Sequence, residues 1–560
     1  MPLPCSHAYF RRTGRSSVRT AAFVFLSAFA CTAYAETQTS KPAATGSPSP
    51  SASAASSSAP AGDAPQQTLY IREYRVIGTK ILPRPEVEQA VYSFLGPGRT
   101  AEDVEKARAA LEKAYKDKGY QTVSVLVPEQ RGARGIIILQ VTEATIGRLR
   151  VHGSHYYDID KIKNQAPSLA EGKVPDFNAV QKDIVAMNQT ADLQVTPSIK
   201  PGAIPGTFDV DLEVKDKLPL HGSVELNNRY SANTTPLRLN LDLRYSNLWQ
   251  MGHTIGFGFQ VAPQRVSDAL VYSAFYIAPV PGVSWLSLMA QGVRQNSNVS
   301  TLGGSAVAGN GEIYGGRLLF ALPGKPGFVQ SASFGLDYKH FTQDLSVGDT
   351  LVGTPITYWP FTASYNGTWV GKGHETDLSA SFVFHFRGMG SGQVEFDNRR
   401  YNADGNFAYI RGSLAHTQDL PGDFQVYGQI QGQGCATPLV DSEEFSLGGL
   451  NTVRGYLESA VLGDSAVAGN FELRSPSLLW WAGAANECRL FGFLDAGTAY
   501  VNDALPQQVS QYNLWSYGFG STIRLFDHVH GSVLMGVPMI SQAGSEANHP
   551  FFSFRFWGDL

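Results

Sequence analysis

Residues 237–245, LRLNLDLRY, alternate large apolar side chains with polar or charged ones. Successive side chains of a β-strand point to opposite faces, so one face of this segment is apolar and the other is polar. The segments 255–261 and 378–387 show the same alternation. In water the pattern predicts a half-buried strand of a β-sandwich. In an outer membrane it predicts a barrel strand whose apolar face meets lipid.

The composition favours the membrane alternative. Charged residues make up 16% of the 560 residues, against about 25% in an ordinary soluble domain. Glycine is frequent, with 57 residues, and aromatic residues reach 11%. Beyond the N-terminus no run of about 18 apolar residues occurs, which argues against membrane-spanning helices. The net charge of −4 gives no basic surface for nucleic acid, so no nucleic-acid partner is expected.

From residue 218 onward, helical periodicity disappears and sixteen strand-like runs follow one another. Their predicted starts lie near residues 220, 236, 253, 268, 284, 312, 330, 356, 375, 406, 423, 471, 488, 513, 529 and 551. The short connections are 279–282, 323–327, 371–373, 421–422 and 527–528. The long connections are 296–311, 343–355, 388–405, 434–470, 502–512 and 541–550. Bacterial barrels have an even number of strands, short periplasmic turns and long extracellular loops. The sequence therefore predicts a transmembrane antiparallel β-barrel of about 16 strands over residues 218–560.

The first 67 residues are predicted to lie outside any folded domain. A basic front, the apolar stretch 21–30 and the small residues Ala33-Tyr34-Ala35 predict a signal peptide over residues 1–35. The apolar stretch is too short for a membrane anchor. Residues 36–67 are rich in Ala, Ser and Pro, a composition that predicts a flexible linker.

Residues 68–144 and 145–217 each follow the order β-α-α-β-β. In the first segment, a single strand is predicted over 69–77, and Gly96-Pro97 is predicted to stop the first helix. Thr100 and the Asp103 three residues later are spaced for a capping box at the start of the second helix. The two segments therefore predict two α+β domains in tandem.

One stretch of the barrel sequence combines a charge with a tight turn. Val453, Arg454, Gly455 and Tyr456 lie in the longest predicted extracellular loop, 434–470, after the glycine pair Gly448-Gly449. On the thirteenth predicted strand, side-chain alternation divides the residues into two faces. The predicted lumen-facing residues are Phe491, Phe493, Asp495 and Gly497, and the predicted lipid-facing residues are Leu490, Leu494, Thr498 and Tyr500.

An arginine at a hairpin tip, followed by glycine, is able to fold into a wide lumen and meet an inward carboxylate. A barrel of about sixteen strands leaves an aqueous interior, and Arg454 with Asp495 would form a charge-assisted, bidentate salt bridge there. The alternative is a solvated surface arginine and an unrelated aspartate in the lumen. For an isolated Arg-Gly pair, that alternative would be favoured.

The motif residues resemble a known family. FSLGG (residues 445–449), VRGY (453–456) and FLDAG (493–497) are similar to the signatures of the POTRA-barrel superfamily of outer-membrane translocases and insertases. The tandem β-α-α-β-β segments resemble POTRA domains. With two such domains and one barrel, the chain most resembles the two-partner secretion transporters, the TpsB family of haemolysin and adhesin secretion proteins.

This resemblance implies a location, a set of partners and a role for the loop. The chain would lie in the bacterial outer membrane, surrounded by lipid and inserted by the barrel assembly machinery, with its POTRA domains in the periplasm. Those domains would recognise an unfolded exoprotein, such as an adhesin or haemolysin, by adding a strand to a sheet edge. The barrel would then secrete the exoprotein to the cell surface. Arg454 would contact Asp495 inside the barrel, and the loop would be needed for secretion.

Other functional classes are weaker interpretations of the sequence. No nucleotide-binding motif, HExxH or GxSxG is present, so no enzyme, cofactor or metal site is expected. Cys435 and Cys488, predicted at opposite rims, have no metal-ligand spacing and are expected to be isolated. An insertase would usually carry three to five POTRA units. A passive porin would not explain residues 68–217, and a periplasmic β-sandwich enzyme would require a catalytic constellation.

Overall fold

The computed structural model describes residues 68–130, 133–188, 190–297, 310–342, 344–347, 350–483 and 485–560. The described chain divides into two compact units, one ending at Leu218 and the other beginning at Pro219. The predicted signal peptide and linker, and most of the predicted loop 296–311, lie outside the described residues. Within the described ranges, no helix has the length and apolar character needed to cross a membrane.

The first α+β segment forms a three-stranded sheet covered by two helices. Its elements are β1 (Leu69–Ile71), β2 (Glu73–Ile77), α1 (Arg84–Tyr92), β3 (Gly96–Arg99), α2 (Ala101–Asp117), β4 (Val123–Leu126) and β5 (Ile136–Glu143). The sheet order is β2-β5-β4, with β2 parallel to β5. The capping box predicted at Thr100 and Asp103 is present.

Two details of this segment differ from the prediction. The single strand predicted over 69–77 is divided at Arg72 into β1 and β2. Gly96-Pro97, predicted only to stop a helix, begins β3, which pairs with β1 in a separate two-stranded ribbon. Glycine and proline are depleted in strands, so the composition of β3 gives no strand signal.

The second α+β segment repeats the architecture. Its elements are β6 (Thr145–His152), α3 (Ile159–Asn164), α4 (Phe177–Met187), β7 (Leu193–Pro201) and β8 (Thr207–Asp216). The sheet order is β6-β8-β7, with β6 parallel to β8. The two segments meet where α2 ends, since the N–H of Phe177 donates to the carbonyl of Gly119 at 3.0 Å. Gly119 has a φ of +98°, a conformation that favours glycine.

The C-terminal unit is built almost entirely from strands. Its elements are β9 (Leu220–Asn227), β10 (Arg238–Leu248), β11 (His253–Val261), β12 (Ala269–Pro279), β13 (Leu286–Ser297), β14 (Asn310–Lys325), β15 (Phe328–Thr342), β16 (Asp344–Val347), β17 (Thr350–Gly353), β18 (Ile356–Tyr358), β19 (Phe361–Gly371), β20 (His374–His385), α5 (Gln393–Arg399), β21 (Phe407–Asp419), β22 (Gln425–Cys435), β23 (Phe445–Leu447), β24 (Val461–Gly463), β25 (Ser465–Arg474), β26 (Glu487–Tyr500), β27 (Gln511–Leu525), β28 (Val529–Pro538) and β29 (Phe551–Asp559).

These strands close into one antiparallel barrel in which β29 pairs with β9. β18 and β19 flank Pro360, which has no N–H to donate, and together they form one wall strand against β15. The hairpins β16–β17 and β23–β24 lie in loops between wall strands. Within the described residues the wall therefore has sixteen strands, and the predicted antiparallel barrel of about 16 strands is confirmed.

The predicted alternation on β26 is also observed. Leu490 and Leu494 are 49% and 52% exposed on the outer surface, whereas Asp495 is completely buried on the lumen side. The predicted start of the twelfth wall strand, near residue 471, was wrong, because β25 begins at Ser465. Its first residues, SAVAGN, are mostly small and lack large alternating side chains. The long loop is therefore 436–464.

Candidate functional site

The connection 436–464 folds into the barrel rather than away from it. Leu447, Val453 and Tyr456 are at most 1% exposed, and they pack against residues of β25, β26 and β27. The β23–β24 hairpin forms the stem of this connection. We call residues 436–464 the inward loop, and residues 453–456 its tip.

Arg454 at the tip forms a buried bidentate salt bridge with Asp495 on β26. Its Nε and Nη2 donate to the two carboxylate oxygens at 2.7 and 2.8 Å. The backbone N–H of Arg454 also donates to the same carboxylate, at 3.0 Å. The two residues that the sequence pattern singled out are therefore brought into direct contact.

A second carboxylate, absent from the predicted site, completes the pairing. The remaining Arg454 nitrogen, Nη1, donates to Glu472 on β25 at 2.6 Å. Glu472 also accepts from Arg474 at 2.5 Å, so two guanidinium groups face two carboxylates. Buried charges are stable only when paired and hydrogen-bonded in this way. Glu472 alternates with the exposed Phe471 and Leu473 on β25, so strand alternation alone places its side chain in the lumen.

The wall motif FLDAG supplies three successive lumen positions, and each contacts the inward loop differently. The ring of Phe493 lies 3.9 Å from the guanidinium carbon of Arg454, in cation–π geometry. Asp495 provides the carboxylate. A Cβ at Gly497 would lie 2.7 Å from the Leu447 side chain, so glycine here leaves room for the loop stem. The period-two spacing of the motif therefore matches the alternation of a strand.

Gly455 and Tyr456 attach the other side of the tip to the wall. Gly455 has a φ of +88°, and a Cβ there would lie 3.1 Å from the backbone of Gly536 on β28. Two facing glycines thus allow the loop backbone to touch the wall backbone. The Tyr456 hydroxyl donates to the carbonyl of Trp515 at 3.1 Å. The Ser516 hydroxyl donates to the carbonyl of Arg454.

The glycine pair before the tip shapes the turn into it. Gly448 and Gly449 both have positive φ, +103° and +100°. A Cβ at Gly449 would lie 2.5 Å from the carboxylate of Glu458. The N–H of Gly449 donates to the carbonyl of Val453 at 3.2 Å. The predicted loop residues thus all belong to one compact turn.

The base of the inward loop is held by a second charge cluster that sequence reasoning missed. The carboxylate of Glu443 accepts from Lys339 Nζ at 2.5 Å, and from the hydroxyls of Tyr358 and Tyr409 at 2.6 and 2.7 Å. All four side chains are at most 5% exposed. Nearby, Arg400 pairs with Asp464 at 2.8 Å. These contacts fix the loop at the end opposite its tip.

No cluster suited to metal binding accompanies these groups in the part of the chain that the structure describes. Cys435 and Cys488 are both free. The chain combines a closed barrel, two N-terminal α+β segments and an inward loop held to the barrel wall by buried ion pairs. Together these features define an outer-membrane translocation barrel of the POTRA-barrel class.

Comparison with known sequences identifies the family. Residues 206–523, more than half of the chain, match the family described as haemolysin secretion/activation protein ShlB/FhaC/HecB. Residues 69–144 match the ShlB-type POTRA domain. The chain therefore belongs to the haemolysin secretion/activation family, the outer-membrane transporters of two-partner secretion.

Individual relatives are consistent with this assignment. The outer membrane transporter CdiB of Dickeya dadantii is 21% identical over 485 residues, which cover 81% of this chain and 80% of the relative. The solved structure of CdiB from Escherichia coli has a TM-score of 0.61 at 19% identity, covering 90% of this chain and 93% of the other. BamA from Haemophilus ducreyi, lacking POTRA domains 1–3, has a TM-score of 0.54 at 14% identity, with 88% and 100% covered. At these identities, the similarity to the two solved structures is evidence for the fold alone.

Proposed function

We propose that this outer-membrane pore captures an unfolded exoprotein through its two N-terminal α+β domains and secretes it past the inward loop. The buried pairing of Arg454 with Asp495 is the observation that carries the proposal. A bidentate ion pair removed from water is costly to break, so it holds the tip at one place on the lumen wall. An exoprotein passing through the lumen would meet a loop with a defined position.

The sheet edges of the N-terminal unit support capture by strand addition. β4 and β7 each lie at the edge of their sheet, and an edge strand presents backbone groups that an extended peptide is able to pair with. Beside β7 lies an apolar cavity of about 250 Å³ between that strand and α4, lined by residues such as Val180, Ile184 and Ile199. The cavity offers a place for apolar side chains of the added strand.

Replacing Arg454 by Ala tests the role of the tip. We expect the amount of exoprotein in the medium to fall at least about tenfold, because buried Asp495 loses its guanidinium partner, while Glu472 retains Arg474. Arg454→Lys keeps the charge without the bidentate geometry, so secretion should fall less. Folded barrel in the outer membrane is measured in parallel. Normal secretion by a normally assembled Arg454→Ala barrel would contradict the proposal.

A separate substitution tests the capture step. Ile199 is half exposed and lines the cavity beside β7, so Ile199→Asp should weaken binding of the exoprotein and lower secretion. Gln194→Asp places the same charge on the opposite face of β7 and serves as the matched control. Equal secretion by the two variants would argue against this cavity as a binding place for the exoprotein. The levels of other outer-membrane proteins should stay unchanged in both, which distinguishes a secretion pore from an insertase.

A further inference from the structure

The barrel is closed by an unusually short seam. β29 and β9 pair over only five positions, from Arg555 opposite Asn227 to Asp559 opposite Ser223. Neighbouring pairs such as β28–β29 and β9–β10 each extend over eight positions. Each position lost from a ladder removes hydrogen bonds and cross-strand side-chain contacts. The first and last strands therefore depend on other contacts to stay together.

Side-chain contacts reinforce the seam both within its ladder and just past the ladder's end. Arg555 on β29 pairs with Glu225 on β9, with Nε to Oε2 at 2.7 Å. The amide of Asn228 donates to the carbonyl of Phe552 and accepts from the N–H of Phe554, both at 2.7 Å. The Arg555–Glu225 pair lies within the ladder, and the two Asn228 contacts take the place of ladder bonds just past the end of β9. Beyond these contacts β9 is followed by the loop 228–237, and β29 is preceded by the loop 539–550.

The inward loop connects those two flanking loops. Glu458 donates its N–H to the carbonyl of Tyr230 at 3.0 Å and accepts from Arg229 Nε at 2.9 Å, both in the loop after β9. The preceding residue, Leu457, donates its N–H to the hydroxyl of Ser545 at 3.2 Å, in the loop before β29. Two adjacent residues of one loop thus hold both sides of the seam.

The same two residues are joined to the tip. Glu458 Oε1 also accepts the N–H of Leu450 at 3.1 Å, within the turn that presents Arg454. Leu457 and Glu458 are 3% and 8% exposed, so these contacts are shielded from solvent. A Cβ at Gly544 would lie 2.5 Å from the Leu457 side chain, which shows how closely Leu457 fits between the loops. The tip and the seam therefore share contacts, and displacing the tip or opening the seam would break the same ones.

We propose that Leu457 and Glu458 are positioning residues that hold the first and last barrel strands together, so that the tip is seated only while the seam is closed. The consequence for transport rests on the proposed role of the inward loop in secretion. The coupling between the inward loop and the seam does not depend on that proposed role, because it concerns the barrel alone. It predicts that loss of the Arg229–Glu458 pair loosens the β9–β29 seam selectively.

Amide hydrogen exchange on the full-length protein in detergent micelles tests this coupling. Glu458→Gln removes the charge and keeps the size of the side chain. Exchange over 223–227 and 555–559 should become about tenfold faster, because local opening then costs less free energy. Exchange in the β10–β11 pair should not change. Conversely, Arg555→Gln, which weakens the seam from the wall side, should speed exchange over 453–458.

Two further variants separate coupling from general destabilisation. Glu444→Gln removes a buried carboxylate at the base of the same loop, where it pairs with Arg400, and should leave seam exchange unchanged. The charge-swapped variant Arg229→Glu/Glu458→Arg should restore most of the protection that Glu458→Gln loses.

Unchanged seam protection in assembled Glu458→Gln barrels, or an equal loss in Glu444→Gln, would overturn the proposal. If Glu458→Gln does not assemble, Ser545→Ala removes the contact on the other side of the seam and makes the same prediction. Secretion by Arg454→Ala, measured separately, tests the role of the loop without reference to the seam.

Discussion

The tip and the base of the inward loop are both fixed by buried charges, but with opposite polarity. At the tip the loop supplies the cation, Arg454, and the wall supplies Asp495 and Glu472. At the base the loop supplies the carboxylate, Glu443, and the wall supplies Lys339 with two tyrosine hydroxyls. A loop that reversed its direction, or slipped so that its tip met the base site, would bring like charges together. The inverted polarity therefore specifies one position of the loop.

The two ends also differ in how many groups share the charge. Arg454 uses Nε, Nη1 and Nη2, and its backbone N–H contributes a fourth contact. Glu443 accepts three side-chain donors. Loss of a single carboxylate at the tip leaves an arginine partly unpaired, whereas loss of one phenol at the base leaves the ion pair intact. The tip should be the more sensitive end.

The largest effect is expected for Asp495→Ala. Removing one partner of a buried pair typically costs about 3–5 kcal/mol, so the tip should leave its position. Secretion should fall to the level of Arg454→Ala, and exchange of the tip amides should rise.

In the charge-swapped Arg454→Asp/Asp495→Arg variant, the new aspartate faces Glu472, so rescue of secretion should be partial. Adding Glu472→Gln should improve the rescue. A full rescue without that third change would contradict the role of Glu472.

A smaller effect is expected at the base. Tyr409→Phe removes one hydrogen bond to a buried carboxylate, which typically costs about 1.5–3 kcal/mol. Tyr365→Phe is the control, because its hydroxyl donates to a neutral acceptor, Gln330, at 2.9 Å, and should cost about 0.5–1.5 kcal/mol. The thermal unfolding midpoint of the purified barrel measures the difference. A greater loss of secretion from Tyr409→Phe than from Asp495→Ala would reverse the ranking of the two ends.

Close backbone contact at the tip gives a third prediction. Gly455→Ala combines a positive φ with a Cβ against Gly536, and a strained residue of this kind costs about 1–3 kcal/mol. The tip should shift without loss of any charge, and secretion should fall moderately. Gly434→Ala on β22 is the control, since a Cβ there meets no atom within 4 Å. Equal secretion by both variants would show that the ion pair alone seats the tip.

Asp216, at the end of β8 in the second N-terminal α+β segment, is a buried carboxylate outside the membrane. Burial alone would raise the pKa of Asp216, but N–H groups of Tyr156, His155 and Tyr157 bond its carboxylate, and its pKa lies below the usual value. A carboxyl with a depressed pKa stabilises the fold above its unfolded pKa of about 3.9 and loses that contribution as pH falls through the folded pKa. Exchange protection over 155–157 should therefore decline in acid. Asp216→Asn should remove this pH dependence, and its persistence would assign the effect to another group.

The sequence predicted the wall of this protein better than its interior. Alternation and the lengths of connections report directly on strands, and they placed Asp495 in the lumen beside a loop carrying Arg454. The site at Glu443 has no such signal, because Lys339 lies 104 positions away and the tyrosines resemble any barrel aromatic. Gly536 was missed for a related reason: a glycine in a strand does not show which backbone approaches it. Contacts inside the lumen depend on loop geometry that periodicity does not encode.

The contacts of the inward loop also imply an order of assembly. The tip is held by groups 18, 41 and 62 positions downstream, on Glu472, Asp495 and Ser516. The base reaches back 104 positions to Lys339, and the seam contact reaches 229 positions to Arg229. Because contacts between distant residues form more slowly, the C-terminal strands should fold around the tip first. The barrel would then close on a loop already in place, with no need to thread it through a finished wall.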